Sequence, residues 1–167
     1  MNKGVWHTFR QGVFAINKVM AYLSALLIVV CALVLMYEVM TRYVIHYSND
    51  WVIEASVFML IAATFMAAAH TQKERAHVGI ELLDEIMAPK WKRYRLLFGD
   101  VLSFLFCLLI AVLTWKYFYQ AYTEGWDSGS TWAPKLWIPY SLMAFGMTSL
   151  NLQFVIQIVD GVRGTGE

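Results

Sequence analysis

The chain has 167 residues, of which 59% are apolar, 16% aromatic and 15% charged. Soluble domains run about 45–50% apolar and about 25% charged, and so short a chain cannot hide this excess in one water-exposed core. The balance excludes an ordinary soluble enzyme, a disordered tail and a disulfide-rich secreted module, and a formal net charge of +1 leaves out a nucleic-acid partner, which needs a basic face.

A basic arm with Lys3, Arg10 and Lys18 leads into a first apolar run, 19–40, uncharged until Glu38. This run exceeds the apolar core of a signal peptide, about 7–15 residues. No small-x-small site precedes the polar turn Ser48-Asn49-Asp50, so it reads as a retained helix. The second run, 51–71, has Glu54 as its formal charge. Between the second and third runs, 77–88 sets Val78, Leu82 and Ile86 at four-residue steps, with Glu81, Asp84 and Glu85 on the other side and Pro89 closing the pattern. Such a segment predicts an amphipathic helix lying in the membrane interface. Leu82 and Ile86 would face the lipid, and Trp91, Lys92 and Arg93 would anchor the exit to headgroups. The third run, 96–119, has Asp100 near its start and Lys116 near its end; the fourth, 136–159, has no formal charge.

Each run is long enough for a helix across the hydrocarbon core, which takes about 20 residues. There is no strand-like alternation, and lipid admits only helices or closed barrels. The predicted fold is an all-α membrane protein with four transmembrane helices and an amphipathic interfacial helix, in a single domain over 1–167. Lys and Arg set its orientation. Ten lie in the N-terminal arm, the loop between the second and third runs and the C-terminal tail; Arg42, Lys116 and Lys135 lie on the other side. Both termini are therefore expected in the cytoplasm. Trp51, Trp126, Trp132 and Trp137 fall at the outer boundary, where amphipathic rings form a belt.

Little here suggests reaction chemistry. Cys31 and Cys107 are single cysteines near the middle of their helices, away from the aqueous boundary where thiolates exchange. His46 stands at the outer end of the first run and His70 at the inner end of the second, roughly a membrane thickness apart, whereas haem ligation needs two histidines at matched depth. A four-helix redox protein using haem or quinone is the alternative reading. Ionisable residues within a span are functional candidates. Glu38 and Arg42 share a helix face at i, i+4, and Glu54 returns to the same level. Arg42 is expected to be shared by the two carboxylates, as a clamp on the hairpin rather than a proton relay. No nucleophile with base, phosphate loop or metal-ligand set is present, so neither catalytic, cofactor-binding nor metal-ligating residues are assigned. By itself the chain reads as a scaffold.

Several patterns occur in order: Glu38-x-x-x-Arg42-Tyr43, a short polar turn, Trp51-x-x-Glu54, an Ala-rich helix, His77-Val78-Gly79-Ile80, an amphipathic turn, Gly125 to Pro134, and Trp137-Ile138-Pro139-Tyr140. Together they resemble the small membrane subunit, DctQ-like, of tripartite ATP-independent periplasmic (TRAP) transporters, over nearly the whole chain. The family commonly has two acidic residues after the tryptophan; here Ile53 takes the first place. The resemblance implies a bacterial inner-membrane, sodium-coupled transporter of organic acid anions. A large DctM-like permease would hold the substrate and Na⁺ sites, and a periplasmic substrate-binding protein would deliver the anion. This chain, with no cofactor of its own, would be the scaffold between that permease and the membrane lipids.

Overall fold

The computed structural model describes residues 3–47, 49–74 and 89–163. Four long helices span it in the order α1 (Lys3–Met40), α2 (Asp50–Lys73), α3 (Pro89–Glu124) and α4 (Trp137–Arg163), with a π-helical turn, Thr41–Ile45, extending α1. All four are long and apolar enough to cross a membrane, and no strand occurs among the described residues. Two helices overrun the apolar runs that announce them. At 1.5 Å per residue, the 38 residues of α1 and the 36 of α3 reach about 57 Å and about 54 Å, well past a hydrocarbon core of about 30 Å. The basic N-terminal arm is thus the first turns of α1. Apolar windows measure the lipid, not the helix.

The predicted amphipathic segment, with Leu82 and Ile86, lies outside the described residues. Trp91, Lys92 and Arg93 fall in the opening turns of α3, with side chains also outside them. Pro89 at the first helical position suits α3, because it lacks an N–H that would have no partner there.

Packing is a chain of neighbours rather than a closed bundle. The pairs α1–α2, α2–α4 and α4–α3 pack extensively, while α1 only brushes α4. Polar contacts give the directions. Ser24 Oγ donates to Ala63 O (2.6 Å) and Cys31 Sγ to Ser56 O (3.8 Å), so α1 runs antiparallel to α2. Asn151 Nδ2 reaches Cys107 O (3.1 Å), and Trp115 Nε1 reaches Thr148 Oγ1 (3.0 Å), so α3 runs antiparallel to α4. The molecule therefore has a terminus end, where α1 begins and α4 finishes, and a loop end holding the two tight connections.

The core lies where α4 is enclosed. Met147, Leu150 and Phe154 of α4 meet Ala69 of α2 and Ala111 of α3. The central contact is close because Gly146 has no side chain: a Cβ there would come within 2.5 Å of Phe65 O. Small residues let membrane helices approach in this way. The Ala-rich stretch of α2 serves the same purpose, with Ala62, Ala63 and Ala69 all buried.

Candidate functional site

Burial along α1 follows a heptad. Asn17, Ser24, Cys31 and Glu38 are buried at seven-residue steps, with Val13 and Thr41 buried at the intervening positions of the same seam. A 3.5-residue repeat keeps one stripe of a helix against its neighbours, and here the stripe is small or polar. Asn17 is fully enclosed; its Nδ2 donates to Gln153 Oε1 (3.1 Å) and its Oδ1 accepts from Ser149 Oγ (2.7 Å). A second amide pair joins α2 to α4: Gln157 Nε2 donates to Gln72 O (2.9 Å), and Gln72 Nε2 donates to Gln157 Oε1 (2.9 Å). Asn17 is not among the residues that the sequence analysis singles out. The seven-residue spacing of Asn17, Ser24, Cys31 and Glu38 was the available signal.

At the terminus end, Asp160 gathers the start of α1. It accepts from Trp6 Nε1 (3.3 Å) and forms an ion pair with Arg10 (3.2 Å). Arg10 and Lys73 both lie against the Phe14 ring, at 5.2 and 4.9 Å from its centroid. Lys73 also bonds Glu74 (3.0 Å), and this bond and charge hold the Glu74 carboxyl below its ordinary value.

The loop end carries the predicted carboxylates. Glu38, 8% exposed, accepts from the Asn49 backbone N–H (3.3 Å) and from Asn49 Nδ2 (3.1 Å). Asn49 immediately precedes α2, so Glu38 ties the end of α1 to the start of α2. Thr41 completes the corner, accepting from Asn49 Nδ2 (3.3 Å) and donating to Glu38 O (3.0 Å). Glu54 works at a different joint. Its Oε1 accepts from Ser128 Oγ (2.9 Å), which also bonds Ser130 Oγ (2.9 Å), in the α3–α4 connection; its Oε2 is enclosed without a hydrogen-bond partner.

Arg42 joins neither carboxylate. It is exposed, and no ion pair links it to Glu38 or Glu54. The expected shared guanidinium is therefore corrected to two separate ties, each made to neutral donors. Glu38 and Thr41 are turned into the buried seam, where Asn49 takes up the carboxylate, while Arg42 stands on the exposed side of the π turn. The turn ends at His46, whose left-handed φ of 57° sends the chain back toward Asn49.

Helix α3 ends at Gly125, φ 69°, where the Trp126 N–H reaches back to Ala121 O (3.1 Å), a helix stop that favours glycine. The connection then folds on itself through the Asp127–Lys135 bridge, whose side chains also form an ion pair (2.8 Å). Trp51, Trp126, Trp132 and Trp137 all lie at this end, with Trp137 edge-on to Tyr122 (6.1 Å) and Trp126 Nε1 donating to Glu124 Oε2 (2.7 Å). His46 closes the π turn at the loop end and His70 lies near the other end of α2, and the described residues hold no group of three or more His, Cys, Asp or Glu able to bind a metal ion.

Comparison with known proteins agrees with this architecture. The family described as tripartite ATP-independent periplasmic transporters, DctQ component, matches residues 31–164. A curated relative, the C4-dicarboxylate TRAP transporter small permease protein DctQ of Vibrio cholerae serotype O1 (strain ATCC 39315 / El Tor Inaba N16961), is 24% identical over 148 residues, covering 74% of this chain and 64% of the relative. The chain thus spans less than two thirds of that relative's length.

Proposed function

Since the chain belongs to the DctQ component family of TRAP transporters, and is a multi-pass membrane protein and small subunit of such a transporter, we propose that it acts as the static scaffold of the complex. In this reading it packs, as a single domain, beside a large DctM-like permease that holds the substrate and sodium sites. A periplasmic binding protein delivers an organic acid anion to the assembly. The relative serves C4-dicarboxylates by its name, and a carboxylate is the class of cargo expected here.

The observation that carries the scaffold role is the use made of the buried polar side chains. Asn17, Ser149 and Gln153 are spent on one another, as are the half-buried Gln72 and Gln157. Such bonds fix helices against each other; a transport path instead needs polar groups turned toward a cavity at mid-membrane. The bias of Lys and Arg supports a cytoplasmic terminus end.

The test is uptake in proteoliposomes. The chain alone should transport nothing, and reconstitution with its cognate large permease and binding protein should give sodium-dependent uptake. Uptake by the chain alone, or by the other two components at full rate without it, would defeat the reading.

A further inference from the structure

Three cations gather round one aromatic ring at the terminus end. Phe14 stands on α1 between Arg10 and Lys18 at four-residue steps, and positions four apart are neighbours on a helix face. The Arg10 guanidinium lies 5.2 Å from the centroid of the Phe14 ring, and the Nζ of Lys73, the last residue of α2, lies 4.9 Å from it. Like charges from two helices are thus brought together over one ring. The third cation is Lys18, exposed one turn further along α1. Helical side chains lean toward the helix N-terminus, which for Lys18 is toward Phe14.

Depth decides what surrounds these groups. Lys18 immediately precedes the apolar run 19–40 and so stands at the edge of the hydrocarbon. Phe14 is about 6 Å beyond it and Arg10 about 12 Å, and each headgroup layer is about 5–8 Å deep. The ring and its cations therefore stand at the level of lipid phosphates. The carboxylates nearby do not cancel them. Asp160 meets Arg10 through Nη1 (3.2 Å), one of the five N–H donors that a guanidinium offers. Glu74 meets Lys73 (3.0 Å) with its own side chain 55% exposed, a wetted pair of little worth that a phosphate replaces at small loss. Lys18 has no ion pair among the described residues.

We propose that Arg10, Lys18 and Lys73, arranged about the Phe14 ring, form a site for the headgroup of an anionic phospholipid in the leaflet at the terminus end. The lipid phosphate reaches this depth already hydrated by its own layer, and a glycerol headgroup adds no cation to compete with the lysines, whereas a choline headgroup does. Each basic side chain at an anionic membrane surface strengthens binding about fivefold. The site is made by this chain alone, so it stands or falls independently of the scaffold reading.

The experiment is native mass spectrometry of the purified full chain, released from detergent micelles holding dioleoyl phosphatidylglycerol and dioleoyl phosphatidylcholine at equal concentrations. The chain should retain phosphatidylglycerol in preference by about tenfold or more, the scale of two lysines acting together. Lys18→Ala or Lys73→Ala should each lower the preference about fivefold, and the arginine variant at either position should keep it. Arg10 is left intact because it also ties α1 to Asp160. Phe14→Leu keeps every charge but removes the ring, and should lower the preference about twofold to fivefold, as expected for cation–π contacts. Lys116→Ala, an exposed lysine toward the loop end, should change nothing. Equal retention of the two lipids would overturn the site. A loss on Lys116→Ala matching that on Lys18→Ala, or none on Phe14→Leu, would reduce it to general attraction between basic residues and anionic lipid. Displacement of the lipid by inorganic phosphate at the same concentration would overturn the lipid as its ligand.

Discussion

At the scale of single residues, the weight of a contact depends on whether water can replace it. Asn17 and Arg10 both join α1 to α4, but Asn17 is fully enclosed, whereas the Arg10 side chain is 38% exposed. Asn17→Ala strands Gln153 and Ser149 and should cost about 1–3 kcal/mol, the penalty for buried polar groups left unmatched. Arg10→Ala should cost at most about 1 kcal/mol, as for a wetted ion pair. Thermal unfolding in detergent would order the two; equal midpoints would contradict the burial argument. Glu38 and Glu54 show how far such residues can be read in advance. Their place at the loop end follows from hydropathy and chain order alone. Their partners do not, because Glu38 finds Asn49 across a π turn that shifts the helical phase, and Glu54 finds Ser128 some seventy residues away in a connection whose fold depends on Gly125 and the Asp127–Lys135 bridge.

At the scale of elements, two glycines make a paired test. Alanine is favoured over glycine within a helix by about 1 kcal/mol, and at Gly99 of α3 an added Cβ meets nothing within 4 Å. Gly99→Ala should therefore be neutral or stabilising. At Gly146 the same methyl would press on Phe65 backbone, prising α2 from α4. Gly146→Ala should lower both the melting temperature and the fraction of monodisperse protein on size exclusion; opposite signs for the two alanines are the expected outcome. The number and type of helices were legible because hydropathy averages over about 20 residues and tolerates local exceptions. Helix ends were less so: α1 begins sixteen residues before the apolar run, since residues 3–18 continue the same winding once propagation is under way.

At the scale of the whole molecule, the helices form an open row with broad apolar flanks, and composition alone foretold that these flanks exist. It could not assign them, because an apolar side chain suits lipid and protein equally. Orientation is testable directly. Green fluorescent protein joined after Glu167 should fluoresce in cells, since it matures in the cytoplasm but not when exported unfolded through the membrane. A dark, full-length fusion whose alkaline phosphatase counterpart is active would reverse the assigned topology.

The seven-residue rhythm of α1 has one more consequence. A helix whose seam repeats every heptad can in principle slide by one repeat, about 10 Å, and find a similar seat: Asn17 would stand where Ser24 was, and Ser24 where Cys31 was, each still offering a donor. What forbids the slip is that the repeat is not uniform at its ends. Arg10 is fastened to Asp160 and Glu38 to Asn49, and a shift in either direction drags one of these charges toward the apolar middle. The interior of the seam thus supplies adhesion without address, and the two charged termini act as stops that give α1 a single register.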